Sequence, residues 1–257
     1  MEDPQKVLEL TVQAGQLLLE NGAEVFRVQQ TMEIMAAAYG ETEFHVYVLT
    51  NGIFASLGRD GRQHMARVGH VPQSSVHLGR VDAVNTLSRQ IAAGQVPLEE
   101  AMARIEQIRA IPVLPLWQQV LACGAGTGFF AILFGGGWRE FGCAFVAGIL
   151  LQLFLWQAEG RRLNKIITRL LGAALVTAVA ALGVWLGFSR DVDRIIIGSI
   201  MPLVPGIALT MAVRDFFNSD YLSGTIRIMD ALIIGLSIAA GVGVVLAFGA
   251  VALGVSL

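Results

Sequence analysis

Charge is scarce in the second part of this 257-residue chain: 16 charged residues follow Arg109, against 22 up to and including it. Long uncharged apolar runs are confined to that second part, and none occurs in the first 109 residues. The stretch Met1–Leu10 is acidic and polar, so no secretory signal is expected there. Histidine is absent beyond His77, which removes the base that a serine–histidine protease inside a membrane needs. The four histidines, His45, His64, His70 and His77, form no HxxxH or HExxH pattern. The two cysteines, Cys123 and Cys143, lie in apolar runs without CxxC or zinc-type spacing, and read as small buried residues. There is no GxSxG, no P-loop, no internal repeat and no low-complexity tract. A net charge of -2 argues against a nucleic-acid partner. These absences leave no metal, no cofactor and no enzyme chemistry to expect.

What is present divides in two: an α+β domain over residues 1–112 and a helical membrane domain over 113–257. Val7, Leu10, Ala14 and Leu17 recur at helical spacing, which predicts a helix over Pro4–Leu19 with a joint at Asn21-Gly22. Val25, Val28, Met32, Met35 and Tyr39 predict a second helix ending at Gly40. Glu24 and Arg27, three apart, are expected to pair on its exposed side. Then the period changes to two. Phe44, Val46 and Val48 alternate with His45, Tyr47 and Leu49, and Ile53, Ala55 and Leu57 alternate again beyond the turn signal Asn51-Gly52. Asp60-Gly61 predicts a hairpin, and Gln63–His70 a returning third strand. Val81, Val84, Leu87 and Ile91 mark a further helix closed by Gly94. Another is expected to have Pro97 at its first position, acidic residues early and Arg104 and Arg109 late. Ile111–Pro115 is a stiff hinge.

Five apolar stretches are long enough to cross a bilayer: about 116–134, 141–158, 170–188, 195–213 and 231–254. The fold class is therefore an α-helical polytopic membrane protein with about five transmembrane helices, preceded by a small α+β cytoplasmic domain. Gly124, Gly126 and Gly128 in the first stretch, and Gly183 and Gly187 in the third, read as small residues that let helices pack closely.

The fourth stretch carries the strongest signal. Pro202 and Pro205 each lack an N–H and crowd the carbonyl four residues back, so the carbonyls of Gly198 and Met201 lose their helical donors. In lipid such a break survives only where protein, water or a solute covers it. Gly198 and Gly206 flank it and permit close approach of a backbone or a solute. Ser199 and Thr210 add hydroxyls. Interrupted spans of this kind build the midplane sites of secondary transporters. The bland alternative is a proline kink filled by a neighbouring helix.

Basic residues fall mainly between stretches two and three (Arg161, Arg162, Lys165, Arg169) and between four and five (Arg214, Arg227). The positive-inside rule then places the α+β domain in the cytoplasm and the C-terminus outside. Charged groups at or near membrane depth are functional suspects. Here they are Arg214, Asp215, Asp220, Arg227 and Asp230, with Asp215 and Asp230 able to carry protons if buried. Their bland reading is a cytoplasmic loop held by ion pairs. A membrane-anchored sensor or scaffold is the alternative of another class, although five spans exceed what an anchor needs.

The run Asn21-Gly22-Ala23-Glu24-Val25-Phe26-Arg27 before a helix ending at Gly40 resembles the opening motif of the threonine/serine exporter (ThrE-type) family. Val84–Ile91 before Gly94 and Leu98-Glu99-Glu100-Ala101 resemble it too, as do Pro205-Gly206, Arg214-Asp215, Asp220–Gly224 and Arg227. The resemblance covers nearly the whole chain. It implies an inner-membrane exporter of threonine, serine or related small solutes, driven by the proton motive force. Related split systems are linked to succinate, so a dicarboxylate is the alternative substrate. Because this chain stops after its fifth stretch, it is similar to the longer chain of a split pair. The implied partners are a small amino acid or organic acid, the lipid bilayer, and a second short membrane subunit or further copies of the chain. The same resemblance marks Asn21, Gly22, Glu24 and Arg27 as motif residues, with Glu24 and Arg27 expected to brace the soluble domain against the membrane or a partner.

Overall fold

Asp3 starts the first helix, α1 (Pro4–Glu20), by accepting the Gln5 N–H at 3.0 Å, with Pro4 in the first turn. The computed structural model describes residues 3–59, 62–68, 71, 76–161 and 163–253. The expected hairpin residues Asp60-Gly61, and also His70 and Arg162, lie outside the described residues. Residues Met1–Val113 and Met211–Gly224 form one compact unit, and Leu114–Thr210 with Thr225–Leu257 form another.

In the first unit α1 is followed by α2 (Val25–Ala38), three strands, α3 (Leu78–Ala92) and α4 (Leu98–Arg109). The strands β1 (Phe44–Leu49), β2 (Gly52–Arg59) and β3 (Arg62–Val68) form an antiparallel meander in the order β1-β2-β3. Val46 opposes Ala55 and Val48 opposes Ile53. One face of the sheet, with Val48, Ile53, Ala55 and Leu57, is thereby turned into a core shared with Leu10, Leu17, Met32, Met35, Ile91 and Ile105. Helical spacing on α1 to α4 supplies the other side of that core. Pro97 is the residue before α4 rather than its first residue, because its extended ψ of 157° belongs to a cap.

In the second unit α5 (Leu116–Leu133), α6 (Trp138–Gly160) and α7 (Lys165–Trp185) are followed by α8 (Val192–Ile200), a 3-10 turn (Met201–Leu203), α9 (Gly206–Phe217) and α10 (Tyr221–Leu253). The last two helices cross from one compact unit to the other. Among the described residues, four helices are long and apolar enough to span a membrane, and the pair α8–α9, bent by 59°, makes a fifth span if it counts as one. Mean hydropathy and length thus make this a multi-pass membrane protein. α10 begins ten residues before the expected fifth stretch, because Arg227 and Asp230 depress hydropathy without breaking the helix. Of the three glycines on α5, Gly124 and Gly128 meet α6 closely, whereas a Cβ on Gly126 would meet nothing within 4 Å. Gly187 is not a packing residue. Its φ is +77°, and the N–H groups of Gly187 and Phe188 close onto Val184 and Gly183 as a helix-terminating turn.

Candidate transport site

The double-proline interruption is present, and its chemistry is narrower than the proline spacing implies. α8 ends at Ile200, Val204 is extended (φ -65°, ψ 131°), and α9 restarts at Gly206. The Met201 carbonyl is not bare: the Val204 N–H donates to it at 3.2 Å. Gly198 serves helix packing, since a Cβ there would lie 2.6 Å from the Ala131 backbone nitrogen of α5. Gly206 is exposed and has open space where a Cβ would stand. The Thr210 hydroxyl is satisfied by its own helix, with the Ile207 carbonyl at 3.0 Å and that of Gly206 at 3.2 Å. Leu203 is 1% exposed and joins Leu151, Val176 and Ile234 in an apolar cluster, so one side of the bend is filled. Two further polar groups stand at the break. Ser199 is fully buried and its Oγ has no partner among the described residues. The Pro202 carbonyl faces a cation.

That cation is Arg169 of α7, whose Nη1 donates to the Pro202 carbonyl at 3.4 Å. Asp230 of α10 lies within electrostatic reach of Arg169. Lys165, one helical turn before Arg169, closes an ion pair of 2.7 Å onto Asp230 Oδ2. Beside the break, Lys165 is thus paired with Asp230, while Arg169 contacts the Pro202 carbonyl with the same carboxylate in its field. In water an exposed pair of this kind contributes at most about 1 kcal/mol, so the cluster is a poor stability device. Its chemical capacity is to hold a carboxylate. Asp230 is thus an ion-pair member rather than an isolated carboxyl. In the sequence Lys165 and Arg169 read only as orientation signals, and their placement next to the break does not show. The available hint is their four-residue spacing at the start of an apolar helix.

The expected loop carrying Arg214, Asp215, Asp220 and Arg227 shrinks to Asn218–Asp220 between α9 and α10. Arg214 and Asp215 sit on the last turns of α9 and Arg227 on α10. Asp215 is buried. Asp220 Oδ1 accepts the Ser223 N–H at 3.2 Å at the start of α10, a helix-capping contact. Arg214 Nη1 binds Glu24 Oε1 at 2.6 Å. Glu24 therefore pairs with Arg214 and not with Arg27: it stands before α2 in an extended backbone conformation, outside the helical spacing that the expected pair assumed. Arg27 is exposed and reaches Gln30.

Asn21 is buried in the α1–α2 joint. Its Nδ2 donates to the Leu17 carbonyl at 2.7 Å, its Oδ1 accepts from Arg80 at 3.4 Å, and its carbonyl accepts the His77 N–H at 3.2 Å. Arg80 also donates to the Ile111 carbonyl at 2.7 Å, which fastens the hinge segment to this joint. Gly22 has φ +85° and a Val76 methyl where a Cβ would go, so glycine is required there.

Residues 9–249 match the family described as "Putative threonine/serine exporter". The chain is 27% identical over 248 residues to the "Probable threonine/serine exporter" of Mycobacterium tuberculosis, covering 92% of this chain and 45% of that protein. It is 23% identical over 246 residues to the "Threonine/serine exporter" of Corynebacterium glutamicum, covering 92% and 50%. It is 26% identical over 249 residues to the "Probable succinate transporter subunit YjjP" of Escherichia coli, covering 96% and 95%. The chain thus spans about half the length of the first two relatives. No solved structure matches it. With the family match extending over the α+β unit, the broken span and most of α10, this chain belongs to the threonine/serine exporter family.

Proposed function

We propose that this chain is the site-bearing subunit of a proton-motive-force-driven exporter of small carboxylate-containing solutes, with threonine and serine as substrates. The observation that carries the reading is the charge cluster at the break: Asp230 held by Lys165 at 2.7 Å, with Arg169 reaching the Pro202 carbonyl. A substrate carboxylate has the same chemistry as the Asp230 side chain and competes with it for the two cations. The substrate path runs past Ser199, Pro202 and Gly206. Pro205 keeps the bend, while Gly198, Met201 and Thr210 hold the framework. Asp230, once displaced, is the group available to take a proton, which links the solute to the proton gradient. The α+β domain lies in the cytoplasm with the α9–α10 turn, and the C-terminus of α10 lies outside.

A split assembly is the favoured arrangement, with a second short membrane subunit completing the passage. It is supported by the relative named a transporter subunit, of which this chain covers 95%. The same name supports a dicarboxylate such as succinate as the second substrate candidate. Counterflow of labelled threonine, serine and succinate into proteoliposomes tests the reading. The full chain is reconstituted alone and with the membrane protein that co-purifies with it. Uptake of one of the three solutes is expected with the partner present. No counterflow of any solute in either preparation, with solute binding retained in the α+β domain, replaces the transporter by a membrane-anchored sensor.

A further inference from the structure

A groove of about 630 Å³ runs along the α6–α7 surface at the end where α6 begins and α7 finishes. Its walls are Val146 and Cys143 from α6 and Val179 and Leu182 from α7. Glycine keeps it open: a Cβ on Gly142 would meet nothing within 4 Å. One charged side chain lines it, Arg139, together with Trp138 and Phe188. Arg139 is exposed and has no hydrogen-bond or ion-pair partner among the described residues. The neighbouring carboxylate, Glu140, is not paired with it among the described residues and turns to other donors. Glu140 already accepts the Gly137 N–H at 2.7 Å and the Ser189 hydroxyl at 2.6 Å. Arg139 is also the second residue of α6, where a cation opposes the helix dipole, so its position is unfavourable without an anion. Trp138 is 76% exposed, as tryptophans at the headgroup level of a bilayer are.

An apolar trough closed by one uncompensated cation and an interfacial tryptophan matches an amphiphile with an anionic head and a hydrocarbon tail. We propose that this groove is a binding site for an anionic phospholipid, with Arg139 holding the phosphate and an acyl chain lying along Val146, Val179 and Leu182. Charge favours this occupant over a helix of another subunit, which would bring apolar side chains and leave Arg139 unmatched. The site is separate from the double-proline break and does not rest on the transport reading.

Native mass spectrometry of the full chain in detergent tests it, after titration with phosphatidylglycerol or phosphatidylcholine of identical acyl chains. Several-fold stronger retention of phosphatidylglycerol is expected. Arg139→Gln should bring retention down to the phosphatidylcholine level, while Arg139→Lys keeps part of the preference. Val146→Trp, which fills the trough, should lower retention of both lipids. Equal retention of the two lipids by the unaltered chain, or an undiminished preference in Arg139→Gln, overturns the proposal. So does efficient cross-linking of Val146→Cys to a second protein in native membranes that added phosphatidylglycerol does not reduce, because a partner helix then fills the groove.

Discussion

Glu24 and Arg214, 190 residues apart in sequence, meet in an ion pair of 2.6 Å. Glu24 occupies the position before α2, within the motif that opens the α+β part, and Arg214 lies in the last turn of α9, the helix that restarts after the proline break. The carboxylate is the more enclosed partner, at 22% exposure against 51% for the guanidinium. Its second oxygen, Oε2, is buried without a partner among the described residues. A contact so far apart in sequence and so exposed on one side contributes about 1 kcal/mol or less to stability. Its consequence is positional: it fixes the far end of α9.

Glu24→Gln and Arg214→Gln are therefore expected to lower export several-fold while membrane protein levels stay within about 20–30% of the unaltered chain, since the pair contributes little stability. The reversed pair, Glu24→Arg with Arg214→Glu, should recover most of the lost export. Efflux of labelled substrate from cells, normalised to immunoblotted protein, measures it. A reversed pair no better than either single change would show that the two residues act independently.

The two glycines that flank the break should behave oppositely. A Cβ on Gly198 meets the Ala131 backbone at 2.6 Å, and backbone cannot swing aside. Gly198→Ala is expected to cost about 1–3 kcal/mol through overpacking of α8 on α5. Gly206 has no heavy atom within 4 Å of that point and no positive φ. Gly206→Ala should be neutral or stabilising by up to about 1 kcal/mol. Thermal unfolding of the detergent-solubilised proteins separates the two. A drop in Tm for Gly206→Ala as large as that for Gly198→Ala would show that the open side of the bend is occupied.

This difference illustrates what a linear reading reaches. Proline chemistry is local, so Pro202 and Pro205 announce the interruption from sequence alone. Hydropathy is an average over about 20 residues, so the four long spans are equally legible. Partners are not local. Gly198 and Gly206 carry the same residue type, and only the approach of α5 distinguishes them. Lys165 and Asp230 are 65 residues apart, and no spacing rule joins them. The expected loop after the fourth stretch fails for a related reason. Arg227 and Asp230 look like loop charges, yet they sit inside α10, where two charges in a 33-residue helix are readily accommodated. Glycines at helix ends are ambiguous as well: Gly183 packs against Cys143, and Gly187, four residues on, ends the helix.

Ser219 occupies a glycine conformation. Its φ is 62°, and the N–H groups of Ser219 and Asp220 close onto Phe216 and Asp215 at 3.0 and 2.9 Å, as in the glycine-terminated helices of this chain. For an L-residue this backbone costs about 1–2 kcal/mol. Ser219→Gly is expected to raise stability by about 1 kcal/mol, and Ser219→Val to lower it by more, since a β-branched residue tolerates positive φ poorly. Unfolding midpoints of the two variants provide the measurement. Lower stability of Ser219→Gly would mean that the serine side chain makes a compensating contact.

The charge cluster at the break yields the sharpest expectation. Asp230→Asn removes the carboxylate paired with Lys165 and near Arg169, and weakens the counter-charge for both cations beside the Pro202 carbonyl. If the cluster only held α7 to α10, Lys165→Gln together with Asp230→Asn would remove both members of the exposed pair and leave export nearly intact, as loss of about 1 kcal/mol is tolerable. If the cluster exchanges its internal carboxylate for that of a solute, the double change should export at least tenfold more slowly even at full protein level. In that case Asp230→Asn alone should bind substrate more tightly, because the competing carboxylate is gone, yet release it slowly. Arg169→Lys keeps the charge but loses the planar fork, and should raise the half-saturating substrate concentration more than it lowers the maximal rate. Half-saturation and maximal efflux, measured separately in proteoliposomes, distinguish these outcomes. A double variant with unaltered efflux would reduce Lys165, Arg169 and Asp230 to a surface ion pair and remove the carboxylate-exchange site from the break.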